Sequence, residues 1–201
     1  MNQNFSKAFD HLKSDKVMAF LIKNFGEKIS LNDRYNSNYA KAISYLIIEQ
    51  QVSFKAAFAI KKRFNKLIKN FSNQKVLNIS LAELQSIGIS YKKAEYIKNV
   101  YSYFKESNFD FKKHGDDQIV KELIKIKGVG TWTAKMFLIF VLFKEDVFSE
   151  KDLALVNSIK QNYYFDKVDE NKLNKLTKKW TPYKTTASLL LWKSIEEKKF
   201  Y

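Results

Sequence analysis

The chain has 201 residues, of which 45% are hydrophobic and 15% aromatic, so it can bury a substantial core and is not a disordered polypeptide. Lysine and arginine (36) outnumber aspartate and glutamate (21), and the net charge of +15 favours a polyanionic partner, nucleic acid ahead of an anionic membrane surface. With no cysteine and only two histidines, disulfides, thiolate chemistry and cysteine-held iron–sulfur clusters are excluded, and any chemistry must depend on carboxylates.

The apolar residues are dispersed along the chain. The longest apolar run, 136–143, is far shorter than the ~20 residues needed to cross a bilayer, and the amino terminus lacks the pattern of a secretory signal. We therefore expect a soluble cytoplasmic protein, associated with the nucleoid if the source is bacterial, that acts as a monomer.

The predicted elements are helices throughout. One proline, five glycines and little alternation of β-branched with polar residues favour an all-α protein. Ser53, Ser80 with Glu83, and Ser90 are predicted helix caps, and Thr181 with Pro182 is predicted to open the last helix. In chain order, the predicted helices are 5–25, 39–50, 54–70, a short helix between Ser80 and Gly88, 91–105, 116–126, 131–143, 152–163, 169–179 and 183–197.

The turn between the predicted helices 116–126 and 131–143 is the most informative segment. Two glycines around one apolar residue allow a tight turn that buries Val129 and presents bare amide groups at the start of the next helix, where phosphate binds. An ordinary connector with a glycine cap is the alternative interpretation. The residues predicted to grip phosphate are Gly128, Val129, Gly130, Thr131, Thr133 and Lys127, with Lys125 nearby.

Several separated blocks of the sequence carry a likeness to one family, in the family's order. These blocks are 11–15, 48–57, 88–97, 126–134, 146–153 and 179–192. The chain resembles the helix-hairpin-helix DNA glycosylase superfamily, and most closely its alkylpurine branch, the DNA-3-methyladenine glycosylase II type, in a minimal form. The resemblance implies an all-α fold of two helical subdomains, about 30–143 and 1–29 plus 144–201, with a cleft for DNA and the damaged base between them.

The family places an essential aspartate after the second helix of the hairpin, and the matching residue is Asp152. Breaking an N-glycosidic bond builds positive charge on the sugar, which a fixed carboxylate stabilises. An aspartate that opens a helix is also a common N-cap, and both roles are compatible. Lys151 stands where relatives often have an acidic residue, which leaves Glu150 as an open candidate helper.

The resemblance also implies an aromatic base pocket. Cationic alkylated purines are good leaving groups, and aromatic faces select them by stacking and cation–π attraction. Met136 and Leu153 stand where some relatives have tyrosine. Phe137 and Trp180 are expected to be ordinary core residues, whereas Tyr183 could belong either to the base pocket or to the core. The candidate pocket residues are Trp132, Trp192, Met136, Leu153 and Tyr183.

Trp132 decides between reaction types, because bifunctional members carry a lysine here that forms a Schiff base with the sugar. We expect a monofunctional enzyme with water as nucleophile and no cofactor. As in relatives, a structural monovalent cation could be held by the carbonyls of Ile124, Ile126 and Val129.

Relatives insert a side chain into the duplex to fill the gap that the extracted base leaves. This side chain comes from the loop after the helix that ends near residue 50, and the matching residue in this chain is Gln51. The alternative is that Gln50 and Gln51 only cap that helix or bond across the subdomain interface. Ser53, Lys92 and Lys93 are the further predicted contacts to the DNA backbone, although exposed lysines are often only a solvated face.

The sequence therefore predicts a DNA glycosylase that hydrolyses alkylated purines of the 3-methyladenine and 7-methylguanine type in duplex DNA and leaves an abasic site. One alternative is a catalytically silent module that binds damaged DNA. Another is a basic helical protein that binds RNA or a membrane surface, which the ordered blocks disfavour.

Overall fold

The computed structural model describes residues 4–201, apart from the side chains of Asp33 and Phe54. Within this range the chain is helical and contains no strand, which confirms the predicted all-α class. The helices are α1 (Ser6–Leu12), α2 (Lys16–Phe25), α3 (Tyr39–Glu49), α4 (Phe54–Leu67), α5 (Asn73–Asn78), α6 (Leu81–Ser86), α7 (Tyr91–Glu106), α8 (Asp116–Leu123), α9 (Thr131–Phe140), α10 (Leu153–Tyr163), α11 (Glu170–Lys178) and α12 (Lys184–Glu196), with short 3-10 turns at Gly26–Lys28 and Asn32–Arg34.

The serine caps predicted in the first half of the chain are confirmed. The Ser53 hydroxyl accepts a bond from the Ala56 amide at 3.3 Å, which opens α4. Ser80 and Glu83 form a reciprocal capping box at α6, and these bonds lower the pKa of the Glu83 carboxyl. Ser90 opens α7 in the same way as Ser53 opens α4.

The prediction of a single helix over 5–25 is wrong, because the helix is interrupted between α1 and α2. Asp15 adopts extended backbone angles, and its Oδ1 accepts bonds from the Val17 amide at 2.9 Å and the Met18 amide at 3.2 Å. A carboxylate that satisfies amides at a new helix start stabilises the break over a continuous helix. The apolar spacing runs through both helices and conceals it.

The prediction that Thr181 and Pro182 open the last helix is also wrong. Tyr183 has non-helical angles, and its carbonyl accepts the first helical bond, from the Ala187 amide at 3.1 Å. Thr181 and Pro182 therefore precede α12 in a turn, with a cis peptide bond between them, rather than opening the helix. Helix α5, which Ser72 caps, is absent from the prediction.

The chain divides into two compact units. One combines the amino-terminal residues up to Arg34 with Leu138–Tyr201, and the other is Tyr35–Phe137, so the boundaries lie about five residues inside the 30 and 143 expected from the sequence. None of the described helices has the length and apolar character needed to cross a membrane.

Each unit has its own aromatic core. In unit Tyr35–Phe137, the rings of Tyr39, Phe111 and Phe137 pack with centroids 5.3–5.5 Å apart, mostly edge to face. In the other unit, the buried Trp180 packs on Phe148. Phe137 and Trp180 are thus core residues, as predicted.

Candidate active site

Asp152 is the N-cap of α10. Its Oδ1 accepts a hydrogen bond from the Leu155 amide at 2.9 Å, and only 8% of the residue is exposed. A buried carboxylate needs donors, and the unsatisfied amides of a helix start supply them. The cap therefore fixes the orientation of the carboxylate that the sequence singled out for chemistry.

Trp192 contacts the same carboxylate from α12. Its indole Nε1 donates to Asp152 Oδ1 at 3.2 Å, and its ring stacks on Phe140 with centroids 5.7 Å apart and an interplanar angle of 27°. The guanidinium carbon of Arg34 lies 4.8 Å from the centroid of the Phe140 ring, within cation–π range. This stack of Arg34, Phe140 and Trp192, which ends on Asp152, lies within a single unit of the chain.

A buried polar cluster fixes α10 against α12. The hydroxyls of Ser158 and Ser194 lie 2.7 Å apart, and both are in hydrogen-bond contact with the Leu191 carbonyl. The Asn162 amide donates to both hydroxyls, and its carbonyl oxygen accepts from the Tyr201 amide. Since apolar neighbours alone would tolerate a slide along the helix axis, these bonds specify the relative register of the two helices.

The segment between α9 and α10 is fastened to the start of α12. The buried Thr185 hydroxyl donates to the Lys144 carbonyl at 2.6 Å and accepts from the Val147 amide at 3.2 Å. Beside it, the Lys184 ammonium forms an ion pair with Asp146 at 3.0 Å. The segment that leads to Asp152 is therefore held in place by side-chain hydrogen bonds and an ion pair rather than by the backbone hydrogen bonds of a helix.

The other candidate pocket residues occupy different environments. Leu153 directly follows Asp152 and is 78% exposed, whereas Met136 is fully buried in α9 and can contribute packing but no open surface. Trp132 is half-buried on α9, in the unit Tyr35–Phe137. Tyr183 packs edge-on against His11, with centroids 5.5 Å apart, and lines a cavity of about 580 Å³ whose lining includes neither Asp152 nor Trp192.

The hairpin between α8 and α9 has the tight turn expected from its glycines. Gly128 has φ +105°, and a Cβ there would lie 2.1 Å from the Tyr96 ring, whereas a Cβ on Gly130 would meet nothing within 4 Å. Val129 is 5% exposed, which confirms that it is buried, and the Asn99 amide donates to the Lys127 carbonyl at 3.2 Å. Helix α7 thus supports the turn from one side.

Thr131 and Thr133 differ sharply in accessibility. Thr131 is exposed at the start of α9, together with the exposed Lys127. Thr133 is 1% exposed, and its hydroxyl accepts a bond from the Gln50 side-chain amide at 3.0 Å, so this hydroxyl is turned inward rather than presented on the surface.

The turn after α3 carries Gln51, which is exposed and has φ +54°. Ser53 is exposed and caps α4, and Lys92 is exposed near the start of α7. Lys93 is different: its ammonium donates to the carbonyls of Ile48 and Gln50 at 3.0 Å and 2.5 Å. Burial lowers the pKa of the Lys93 ammonium.

The described residues contain no group of three or more His, Asp or Glu that could hold a metal ion. Of the hairpin carbonyls considered for a monovalent cation, that of Ile126 accepts the Val129 amide at 2.9 Å.

The sequence pattern of the HhH-GPD superfamily of base excision DNA repair proteins matches residues 45–183, which include both the hairpin and Asp152. The chain belongs to the HhH-GPD superfamily. The Asp152 carboxylate and the Gly128–Gly130 turn thus lie within the part of the chain that defines this superfamily.

Relatives of known sequence match along nearly all of the chain. The Bacillus subtilis protein YfjP is 28% identical over 202 residues, which cover 93% of this chain and 68% of YfjP. The DNA-3-methyladenine glycosylase of Saccharomyces cerevisiae is 26% identical, over 95% of this chain and 80% of the yeast protein. The fold is similar to that of the Schizosaccharomyces pombe 3-methyladenine DNA glycosylase Mag1, solved with abasic DNA, with a TM-score of 0.87, 24% identity and coverage of 95% of this chain and 97% of Mag1.

Proposed function

We propose that this protein is a monofunctional DNA glycosylase that hydrolyses the N-glycosidic bond of alkylated purines, of the 3-methyladenine and 7-methylguanine type, in duplex DNA. The observation that carries the proposal is Asp152, which is held by the Leu155 amide and the Trp192 indole on one carboxylate oxygen. Relatives named for 3-methyladenine excision match the chain over 95% of its length.

The chemistry needs little beyond this carboxylate. When the bond between the sugar and the base nitrogen breaks, its electron pair leaves with the base, and positive charge develops on the sugar. A fixed carboxylate stabilises that charge without reorganisation, and water adds to the sugar carbon with loss of a proton. Because an alkylated purine is already cationic, it departs neutral and requires no general acid.

Recognition of the base is assigned to aromatic and apolar side chains. Trp192 offers an indole ring beside the carboxylate, and Leu153 offers an exposed apolar surface next in the chain. Trp132 is a second indole, on the hairpin helix. A cationic, electron-poor base stacks favourably on such rings, which discriminates it from ordinary purines.

Backbone binding is assigned to the hairpin and to the basic surface. The amides at Gly130 and Thr131 stand at a helix start, where phosphate binds, and the net charge of +15 adds a salt-dependent attraction. The relative Mag1 has been solved with abasic DNA, the product of the reaction proposed for this chain.

Trp132 makes the protein monofunctional. Strand cleavage by a Schiff base requires a lysine amine that attacks the sugar carbon, and an indole cannot perform this attack. The product is therefore an abasic site in an intact strand.

The test is release of free methylated bases from alkylated duplex DNA, separated by chromatography, for the wild type and Asp152→Asn. Asparagine keeps the oxygen that accepts the Leu155 amide, so the cap persists while the charge is lost. We expect release to fall by roughly 10²- to 10³-fold, the range for loss of one preorganised electrostatic group, with DNA binding retained.

Asp169→Asn is the matched control, because Asp169 caps α11 through the Lys172 amide at 2.8 Å and has no assigned role in the reaction. Its release rate should equal that of the wild type. Unchanged release by Asp152→Asn would remove this residue from its role. A wild type that binds alkylated DNA but releases no base would instead identify a silent damage-binding module.

A further inference from the structure

The turn that carries Gln51 has an unfavourable backbone conformation. Gln51 has φ +54°, a left-handed conformation that costs a non-glycine residue on the order of 1 kcal/mol or more unless its surroundings hold it. The side chain is exposed, and the turn lies between the last residue of α3 and the cap of α4. Something outside these two helices must therefore stabilise it.

Lys93 supplies one such contact from the first turn of α7. Its ammonium lies 3.0 Å from the Ile48 carbonyl oxygen and 2.5 Å from the Gln50 carbonyl oxygen. The Ile48 carbonyl lies in the last turn of α3 and the Gln50 carbonyl at its C-cap, where helix geometry leaves acceptors without intrahelical donors and the helix dipole favours a cation. The half-buried Lys93 ammonium thus holds the backbone carbonyls of Ile48 and Gln50, immediately before Gln51.

A second contact comes from the hairpin helix. The Gln50 side-chain amide donates to the Thr133 hydroxyl at 3.0 Å, and Thr133 is buried on α9. Residue 50 is consequently held through its backbone by α7 and through its side chain by α9. Residue 51, which follows it, is directed by both.

We propose that Lys93 is a positioning residue that holds the turn so that Gln51 projects as the wedge which fills the gap left by an extracted base. The proposal rests on the proposed function, since it assigns Gln51 a role in that reaction. Lys93 acts through the backbone at Gln50 and makes no phosphate contact of its own. Its loss therefore impairs base opening rather than attraction to DNA.

The chain contains a matched control for Lys93 on the same helix. The Lys98 ammonium donates to the carbonyls of Val76 and Leu77 at the end of α5, and burial lowers its pKa as it does for Lys93. Lys98→Met therefore removes a contact of the same kind, far along the chain from Gln51. Any general effect of deleting such a lysine appears in both variants.

The first experiment measures single-turnover release of a methylated purine by Lys93→Met and Lys98→Met. Two duplexes are compared. In the first the methylated base is paired with a normal base, and in the second (the gapped duplex) it lies opposite an abasic site and is already unpaired. We expect Lys93→Met to slow release from the paired duplex about tenfold relative to Lys98→Met, and to act nearly normally on the gapped duplex. Equal slowing on both duplexes, or none, overturns the proposal.

The second experiment is independent of chemistry. Fluorescence of 2-aminopurine, placed next to an abasic analogue in a duplex, reports unstacking when the protein binds. The wild type and Lys98→Met should raise the signal, and Lys93→Met should bind with a reduced rise that Lys93→Arg restores. In a Gln51→Ala background, Lys93→Met should not reduce the rise in 2-aminopurine fluorescence any further. If the reductions from the two substitutions add, the proposal is overturned.

A wild type that raises the 2-aminopurine signal but releases no methylated purine would contradict the proposed function alone. A wild type that releases base, with Lys93→Met identical to Lys98→Met in both assays, would contradict only the role of Lys93.

Discussion

The indole Nε1 of Trp192 and the Leu155 amide converge on the same oxygen of Asp152, at 3.2 Å and 2.9 Å. One donor belongs to the side chain of α12 and the other to the backbone of α10, and a buried polar cluster fixes these helices against each other. The orientation of the carboxylate is thus determined by helix packing as well as by its own cap.

Trp192→Phe should slow base release while the protein stays folded. Phenylalanine keeps a ring that can stack on Phe140 but removes the donor to Asp152, and a hydrogen bond to a charged group is worth about 1.5–3 kcal/mol. We expect a single-turnover rate about 10- to 100-fold lower, with affinity for duplex DNA containing an abasic analogue little changed. An unaltered rate would show that the indole serves only as a stacking surface.

The two hairpin glycines should respond differently to alanine. Gly128→Ala forces a Cβ onto the Tyr96 ring at a positive φ, so the free energy of unfolding should fall by about 2–4 kcal/mol. Gly130→Ala meets no atom within 4 Å and should leave stability within about 0.5 kcal/mol of the wild type. Urea denaturation measures both.

If the hairpin grips phosphate, Gly130→Ala should nonetheless weaken DNA binding, because the added methyl group keeps a phosphate from the amides at the start of α9. Fluorescence anisotropy with a labelled duplex measures the affinity. Equal affinities of Gly130→Ala and the wild type would count against this hairpin as the phosphate contact.

The wild type should release base without nicking the strand. Products on a denaturing gel should remain full-length until hot alkali cleaves the abasic site, and borohydride should trap no covalent complex. Trp132→Lys alone should not create efficient nicking, because the geometry around an attacking amine is missing. Robust nicking by the wild type would refute the monofunctional assignment.

Stability should decline at alkaline pH partly through Tyr163. Burial raises the pKa of its hydroxyl far above the ordinary value of 10.0, and the carboxylate of Asp15, to which it donates at 2.8 Å, raises it further. The contribution of the Tyr163 hydroxyl to the free energy of unfolding is fully present below pH 10. Above pH 10 the hydroxyl ionises in the unfolded chain but not in the fold, so this contribution falls by up to about 1.4 kcal/mol per pH unit. Tyr163→Phe should show a correspondingly shallower decline between pH 10 and 11, and identical slopes would exclude this residue as a cause.

Local signals in the sequence were sufficient for much of the fold. Ser53, Ser80 and Ser90 act as caps because their hydroxyls bond to amides three residues ahead, so the information lies within one helical turn. The break at Asp15 is also local, but the continuous apolar spacing around it favours one long helix and conceals the cap. The turn at Thr181–Pro182 was misread because the same residue types also open helices.

The contacts made by the candidate site residues of each unit are not local, and no spacing rule predicts them. Lys93 reaches carbonyls 43 and 45 residues earlier in the chain, and Gln50 reaches a hydroxyl 83 residues later. Arg34, which lies over Phe140, was absent from the predicted site for the same reason. The sequence singled out Asp152 and Trp192 as candidates, and only the fold shows that they share a hydrogen bond.

The buried cluster of Ser158, Asn162 and Ser194 has a consequence for how substrate range can change. It fixes α10 and α12 from within, so the position of Asp152 does not depend on the side chain that follows it. Leu153 is 78% exposed and contributes little to that core. Under the proposed function, single substitutions at Leu153 should change which bases are accepted while the fold and the position of the carboxylate stay constant, which makes this residue a natural starting point for directed evolution.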